Sequence, residues 1–255
     1  MTCALLIDFG ATHIKSVVTN KKSILKKTLL ISQGSSFKGK EVPLNFFLDS
    51  IIYHLKNATK HYNIASIIMC CEMHGFFYNY SSNLSNYYSW RFSDTYSSKV
   101  IKNIKKKRVL SSTNVSPRQG LPIVTLASLI EKKKIKKKLK VYFLPQLICE
   151  KLGYSNNVVH ATLAQASGLY LKNKNINDFL KLDIALPHYS DETFLILGEI
   201  NFKKNTIPVY GGYGDLQTSL YNIKNDEWNI NMGTGSQIAI TVSYTHLTLP
   251  TISDV

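Results

Sequence analysis

The sequence of 255 residues lacks any apolar run that approaches the roughly 20 residues a membrane-spanning helix needs. Its first residues lack the basic start and the length of a secretory signal peptide. Its 4 cysteines are spaced neither as a zinc site nor as a Cys-x-x-Cys redox pair, and its 7 histidines form no His-Glu-x-x-His pattern. These absences exclude a membrane partner and a protein-built zinc centre, and they predict a cytoplasmic chain with reduced thiols.

Acidic residues are also scarce, since 16 Asp and Glu face 31 Lys and Arg, and the net charge is +15. The basic residues cluster at residues 105–108 and 132–140. Aromatic residues are not interleaved with these runs, as they would be in a protein that binds single-stranded nucleic acid. We therefore expect no specific nucleic-acid partner. A basic nucleic-acid-binding protein is the alternative, and it would show salt-dependent binding of RNA or DNA.

An apolar run at residues 5–7 ends in Asp8 and is followed by Gly10, Thr12 and Lys15. This order predicts a strand, a tight turn and a second strand. Gly10 allows a sharp turn and a close approach to a ligand. Asp8, at the strand end, could hold a metal ion, and the turn amides with Thr12 and Lys15 could hold phosphate oxygens. An ordinary hairpin with one glycine is the alternative.

A second segment, residues 228–241, repeats this order around the turn Gly233-Thr234-Gly235. Two such turns that face each other would clamp a polyphosphate from both sides. Here the chain resembles the superfamily of sugar kinases, hexokinase, heat-shock-70 proteins and actin, which hold ATP between paired hairpins of two similar domains. The resemblance implies ATP and Mg²⁺ as cofactors, with Asp8 at the metal and a phosphate site formed by Asp8, Gly10, Thr12, Lys15, Gly233, Thr234 and Gly235.

Two further segments narrow the resemblance to the FGGY carbohydrate kinases. Met73-His74-Gly75, followed later by Trp90, is similar to the substrate-binding segment of that family. Met-His-Gly is similar to the ketose-kinase version, and the Arg-Glu pair of glycerol kinases is absent, so a ketose such as a pentulose or heptulose is implied. In this chain the acid after Trp90 is displaced to Asp94, and the family's trailing arginine is missing.

The other segment, residues 207–222, is rich in glycine and is similar to the start of the family's second domain. There a Gly-Asp-Gln-Gln-like motif carries the catalytic carboxylate, which would be Asp215 in this chain, with Leu216 in place of the usual glutamine. The resemblance implies that Asp215 contacts the sugar and accepts a proton from its hydroxyl group. On the residues alone, Asp215 could instead be the N-terminal cap of a helix.

Apolar spacing predicts the elements between these motifs. Trp90 could line the sugar or fill the core, and Arg118 could reach a sugar or be a surface charge. The small residues at 160–171 would let backbone segments approach closely beside the substrate cleft. The expected elements are helices at 42–61 and 142–153, and strands at 23–32, 64–71, 193–200 and 207–210.

The resemblance extends from residue 5 to about residue 242 and implies an α/β fold of the ribonuclease H-like, actin/hexokinase ATPase type. We expect a mixed sheet flanked by helices and a second, similar domain that is incomplete. The N-terminal kinase domain is assigned to residues 1–190 and the start of a truncated C-terminal domain to residues 191–241. Residues 242–255 are expected to be non-native, because VSYTHLTLPT resembles a translated sequencing adapter. A natural strand-and-loop tail is the alternative.

The implied activity is ATP-dependent phosphorylation of a sugar hydroxyl group, which is a transferase reaction with an alcohol group as acceptor. We expect the chain as it stands to be inactive, because two domains of roughly 200–250 residues each are needed. A homodimer is expected of the complete protein. The alternative from another class is a non-enzymatic ATP-binding module similar to actin or heat-shock proteins.

Overall fold

A computed structural model describes residues 2–10, 13–20, 22–31, 41–92, 94–113, 115–136, 138–172, 174–220, 228–231 and 237–240. Contacts within the chain divide it after Asp215 into two units, Met1–Asp215 and Leu216–Val255. No helix among the described residues is long and apolar enough to cross a membrane.

The described strands are numbered in chain order. The first eight are β1 (Thr2–Phe9), β2 (His13–Thr19), β3 (Ile24–Ile31), β4 (Glu41–Val42), β5 (Asn63–Cys71), β6 (Phe77–Tyr80), β7 (Asn83–Leu84) and β8 (Tyr87–Tyr88). The others are β9 (Leu139–Tyr142), β10 (Gly153–Ser155), β11 (Val158–His160), β12 (Ile184–Ala185), β13 (His188–Ser190), β14 (Ile196–Phe202), β15 (Asn205–Gly214), β16 (Trp228–Asn231) and β17 (Gln237–Ile240). The helices are α1 (Leu44–Thr59), α2 (Ser97–Lys106), α3 (Pro122–Lys133), α4 (Leu144–Leu152), α5 (Ala161–Ala166), α6 (Ile176–Leu180) and α7 (Asp215–Leu220).

Seven strands of the first unit form one mixed sheet in the order β10-β14-β15-β5-β1-β2-β3. The central strand β5 runs parallel to both of its neighbours, β1 and β15. The remaining pairs of this sheet are antiparallel. Because β1, β5 and β15 run in the same direction, their carboxyl ends, at Phe9, Cys71 and Gly214, share one edge of the sheet. We call this edge the strand-end edge.

The core forms because side chains of a strand alternate between two faces while those of a helix recur every three or four residues. On β1 the alternate residues Leu5, Ile7 and Phe9 are buried. Helix α1 buries Phe47 and the residues one and two turns further on, and it packs against β1, β2, β3 and β5. The ring of Phe47 contacts the rings of Phe9 and Tyr87. Helix α4 packs against the same sheet and contacts α1.

The predicted mixed α/β architecture is confirmed, and most predicted elements lie within a few residues of the observed ones. The helix expected at 42–61 is α1, and the strand expected at 64–71 is β5. The helix expected at 142–153 begins later, at Leu144, because Tyr142 completes β9 and Pro145 occupies the first turn of α4. Proline is favoured there since its missing N–H has no partner in a first helical turn.

The division of the chain differs from the boundary placed near residue 190 on the sequence. Strands β14 and β15 form a hairpin, and β15 pairs with β5 from Val209 to Gly214. The hairpin therefore extends the first sheet by hydrogen bonds to its central strand, and a boundary at residue 190 would cut through this sheet. Contacts divide the chain after Asp215, and the assignment of kinase domains to residues 1–190 and 191–241 stays a prediction.

A buried histidine in this core leads to a prediction on acid stability. His54 of α1 is 1% exposed, and its Nδ1 lies 2.8 Å from Oγ of Ser16 on β2. Burial lowers the pKa of His54 from 6.5 to about 4. Between pH 6.5 and 4, the unfolded chain therefore binds a proton at this histidine that the folded chain does not bind. As a result, His54 lowers the free energy of unfolding as the pH falls through that window.

We expect His54→Gln, which does not titrate, to become more stable relative to the wild type as the pH falls from 7 to 4. The gain should be on the order of 3 kcal/mol at about 1.4 kcal/mol per pKa unit. Urea denaturation of both proteins at each pH measures it. An unchanged difference between the two proteins across this window would show that His54 is protonated in the folded state as readily as in the unfolded chain.

Candidate active site

The strand-end edge brings together two of the predicted site residues. Asp8 of β1 is paired in register with Cys70 of β5, and Tyr213 of β15 is paired with the same Cys70. Asp215 follows two residues later as the first residue of α7. The thiol of Cys70 donates a hydrogen bond to Oδ1 of Asp8 at 3.4 Å. Ligands of α/β proteins commonly bind at such carboxyl ends of parallel strands.

At this edge, the charges of both Asp8 and Asp215 influence the Cys70 thiol. Burial raises the pKa of Asp8, while the hydrogen bond from Cys70 and the positive charge of Lys15 oppose the rise. Lys15 is the register partner of Asp8 on β2. Burial raises the pKa of the Cys70 thiol, and the charges of Asp8 and Asp215 raise it further. The thiol is therefore held protonated and is a poor nucleophile.

The turn after Asp8 is suited to close approach of a ligand. A Cβ atom added to Gly10 would lie 3.0 Å from the carbonyl oxygen of His13 and 3.8 Å from Oδ2 of Asp8, so glycine leaves this space open. Thr12 lies outside the described residues. Gly233, Thr234 and Gly235 also lie outside them, although the flanking strands β16 and β17 pair in the predicted antiparallel manner. No group of three or more His, Cys, Asp or Glu side chains that could hold a metal occurs within the described part of the chain.

The predicted substrate segment begins where β5 ends. His74 has a φ angle of 68°, which lies in the left-handed region. Residues other than glycine rarely adopt this conformation, and those that do are often found at functional sites. Its Nδ1 lies 2.9 Å from the carbonyl oxygen of Ala166, and its Nε2 lies 2.9 Å from Nη2 of Arg118. The carbonyl can only accept and the guanidinium can only donate, which assigns the neutral Nδ1–H tautomer. Burial, followed by the charge of Arg118, lowers the pKa of His74 to about 4.

Two glycines hold the surrounding loops close together. A Cβ atom on Gly75 would lie 1.6 Å from the hydroxyl oxygen of Tyr87. One on Gly120, whose φ angle is 76°, would lie 1.6 Å from the carbonyl oxygen of Trp90. The loop that carries Arg118 is thereby packed against the backbone of half-buried Trp90. Met73, the remaining residue of the predicted segment, packs against the hydrophobic core.

Helix α5 connects the substrate segment to Asp215. The hydroxyl of Thr162 accepts a hydrogen bond from the backbone N–H of Gly214 at 2.9 Å. One turn further along α5, about 6 Å along the axis, the carbonyl of Ala166 binds His74. The segments that contain Asp215 and His74 are thus attached to the same short helix, within the stretch of small residues at 160–171.

Glu72, which no sequence motif identified as a site residue, is 3% exposed at the end of β5. Neither of its carboxylate oxygens makes a hydrogen bond of ordinary geometry to a described residue, although the hydroxyls of Ser89 and Tyr87 are close enough to favour its ionised form. Burial raises its pKa to about 7; the hydroxyls of Ser89 and Tyr87 and the charge of Arg91 lower it, and Asp215 raises it further. An acid directly after the apolar strand was the available signal, because glutamate is rarely buried without a partner.

A separate open cleft of about 550 Å³ lies beside the α6 segment and is lined in part by Tyr170, Lys172, Ile176 and Tyr189. It contains none of the predicted site residues. The strand-end edge and the His74 segment therefore remain the candidate site.

No protein-family model and no curated protein matches the chain. Among solved structures it is similar to the ligand-bound xylulose kinase and the gluconate kinase of Lactobacillus acidophilus, each with a TM-score of 0.78, 18% identity, and coverage of 94% of this chain and 54% of the other. It is also similar to Plasmodium falciparum glycerol kinase with ADP, with a TM-score of 0.75, 14% identity and the same coverage. The chain therefore has the actin-like ATPase fold of sugar kinases and spans about half the length of these structures.

Proposed function

We propose that this chain is the first part of a carbohydrate kinase that transfers the γ-phosphoryl group of ATP to a sugar hydroxyl group. The observation that supports it best is the grouping of Asp8, Asp215 and the His74–Arg118 pair around the carboxyl ends of β1, β5 and β15 and around α5. The fold of the solved sugar kinases agrees with it.

The residues at the turn fit a magnesium-bound nucleotide. Asp8 supplies the oxygen ligand that Mg²⁺ prefers, and Gly10 leaves space that a side chain would fill. Asp8 would hold the ion directly or through water, and Lys15, Thr12 and the Gly233-Thr234-Gly235 turn would contact phosphate oxygens. Bound Mg²⁺ would neutralise charge on the phosphates, which with positioning provides most of the catalysis of phosphoryl transfer.

In this proposal Asp215 accepts the proton of the attacking hydroxyl group, a contribution worth roughly 10²–10⁴-fold in rate. Met73, His74, Gly75 and Trp90 form the sugar site next to it. The Met-His-Gly motif favours a ketose. The similar structures are named for xylulose, gluconate and glycerol, so the fold by itself does not select a ketose, a sugar acid or a polyol.

The test is the activity of the protein encoded by the uninterrupted gene. Genomic sequence across the codon of residue 241 is expected to continue into a second domain and not to encode the segment VSYTHLTLPT at residues 242–251. The completed protein should release ADP from ATP only when a sugar from a panel of pentuloses, heptuloses and sugar acids is present. ATP turnover that no sugar stimulates would instead indicate an actin-like or heat-shock-like nucleotide module.

A further inference from the structure

The hydrogen bonds of His74 leave it no ring nitrogen with which to bind a sugar. Nδ1 donates to the carbonyl of Ala166, and Nε2 accepts from Arg118. A sugar hydroxyl could bind the ring only by displacing one of these partners. The low pKa of His74 agrees with this arrangement, because a protonated ring could not accept from a guanidinium. Within this geometry His74 is a positioning residue, and the group that it positions is Arg118.

Arg118 is a cation without an anionic partner among the described residues, since none of the ion pairs there includes it. It is half-buried, and burial lowers its pKa. The buried acid of the substrate segment, Glu72, is influenced by Arg91. A guanidinium has five N–H donors, and removing it from water is costly unless an anion compensates.

The backbone holds Arg118 at this place from two sides. Gly120, two residues further on, packs against the carbonyl of Trp90, where a larger residue would collide. Ile123, at the start of α3, donates its N–H to the carbonyl of Ser167, next to Ala166. The loop that carries Arg118 is therefore held between the Trp90 loop and the end of α5, and its guanidinium contacts the His74 turn. These segments together form the candidate sugar site.

We propose that Arg118 is the principal sugar-binding side chain of this site, and that the sugar it binds carries a carboxylate group. The substrate class is a sugar acid, including keto sugar acids, whose carboxylate pairs with the guanidinium by two parallel hydrogen bonds. The inference rests on the proposed function, since the hydroxyl groups of the same ligand would face Asp215. It differs from the expectation of a neutral ketose and from the assignment of His74 as the direct ligand.

The test is calorimetric binding, without ATP, of D-gluconate and D-glucitol, which share a carbon skeleton and differ in the carboxylate. D-xylonate and D-xylulose form a second comparison. At least one acid is expected to bind the wild-type chain roughly 10- to 100-fold more tightly than the neutral sugars, as charge-assisted hydrogen bonds allow. Arg118→Gln should remove this preference and leave the weak binding of glucitol nearly unchanged. Arg118→Lys keeps the positive charge but loses the two parallel N–H donors of the guanidinium, so it should retain part of the preference for acids.

Arg108→Gln is the matched control, because it removes one positive charge at an exposed position. It should leave the preference intact. Circular dichroism and thermal unfolding of each variant separate a binding defect from a folding defect. The imidazole ¹⁵N shifts of His74 should show the Nδ1–H tautomer down to pH 5 in the wild type, and a change of Nε2 environment in Arg118→Gln.

The inference is overturned if neither acid binds more tightly than the neutral sugars, or if Arg118→Gln weakens acids and neutral sugars equally. Because binding is measured without ATP, these outcomes are independent of phosphoryl transfer. A preference for acids in a completed protein that lacks sugar-dependent ATP turnover would remove the proposed function and keep the anion site. Turnover of neutral ketoses that is unchanged in Arg118→Gln would keep the proposed function and remove the anion site.

Discussion

Asp215→Asn is expected to lower the turnover of the completed kinase by roughly 10²–10⁴-fold while sugar affinity barely changes. The amide keeps the shape of the carboxylate at the first residue of α7, but it cannot accept a proton from the attacking hydroxyl group. An interaction made in the transition state should reduce kcat and kcat/KM equally. Steady-state ADP release at varied sugar and fixed ATP measures both constants.

Asp8→Asn is the matched control, because it makes the same chemical change at the other carboxylate of the strand-end edge. We expect it to weaken the response to Mg²⁺ and ATP while the KM for sugar stays nearly constant. The two substitutions should therefore have different effects: Asp215→Asn lowers turnover, and Asp8→Asn weakens the response to Mg²⁺ and ATP. If Asp215→Asn keeps near-full turnover, Asp215 only begins α7 and the base must be sought elsewhere.

The local structure around this site could be predicted because it depends on neighbouring residues. The alternation of apolar residues on β1 and β5 identified both strands, and the acid at the end of β1 identified the strand-end edge. Helix α1 followed from the spacing of its buried residues. In each case the residues that determine the structure lie within one or two turns or pleats of each other.

Features that depend on distant residues could not be predicted in this way. The parallel pairing of β15 with β5 joins segments more than a hundred residues apart, and no local pattern specifies it. The His74 site likewise takes Arg118 from the loop before α3 and a carbonyl from the end of α5. The Met-His-Gly motif identified the candidate sugar site but not the hydrogen-bond partners of His74. The sequence therefore left both ring nitrogens free to bind a sugar, whereas in the fold both are occupied.

The second large effect is expected from Glu72, whose carboxyl group is buried at the end of β5. Its pKa is raised from 4.5 to about 7, chiefly by burial. The folded chain therefore holds a proton that the unfolded chain loses between pH 4.5 and 7. The contribution of this group is fully present below pH 4.5 and is lost as the pH rises through 7, so the free energy of unfolding falls across that window.

We expect Glu72→Gln, which is neutral and of the same shape, to gain stability over the wild type on the order of 3 kcal/mol between pH 4.5 and 8, at about 1.4 kcal/mol per pKa unit. Urea denaturation at both pH values measures the gain. Ser89→Ala at pH 8 is the matched test of its surroundings, because it removes a hydroxyl that favours the ionised form and should destabilise the wild type but not Glu72→Gln.

The slopes due to Glu72 and His54 have opposite signs and overlap between pH 4.5 and 6.5. In the wild type, the effects of the two groups on the free energy of unfolding therefore offset each other. Substituting one group should leave only the pH dependence that is due to the other group. Glu72→Gln should lose stability steeply on acidification, His54→Gln should lose it on raising the pH, and the double variant should follow neither slope. If instead Glu72→Gln and the wild type have parallel stability profiles from pH 4.5 to 8, Glu72 is ionised in the fold and Arg91 or the two hydroxyls compensate its burial.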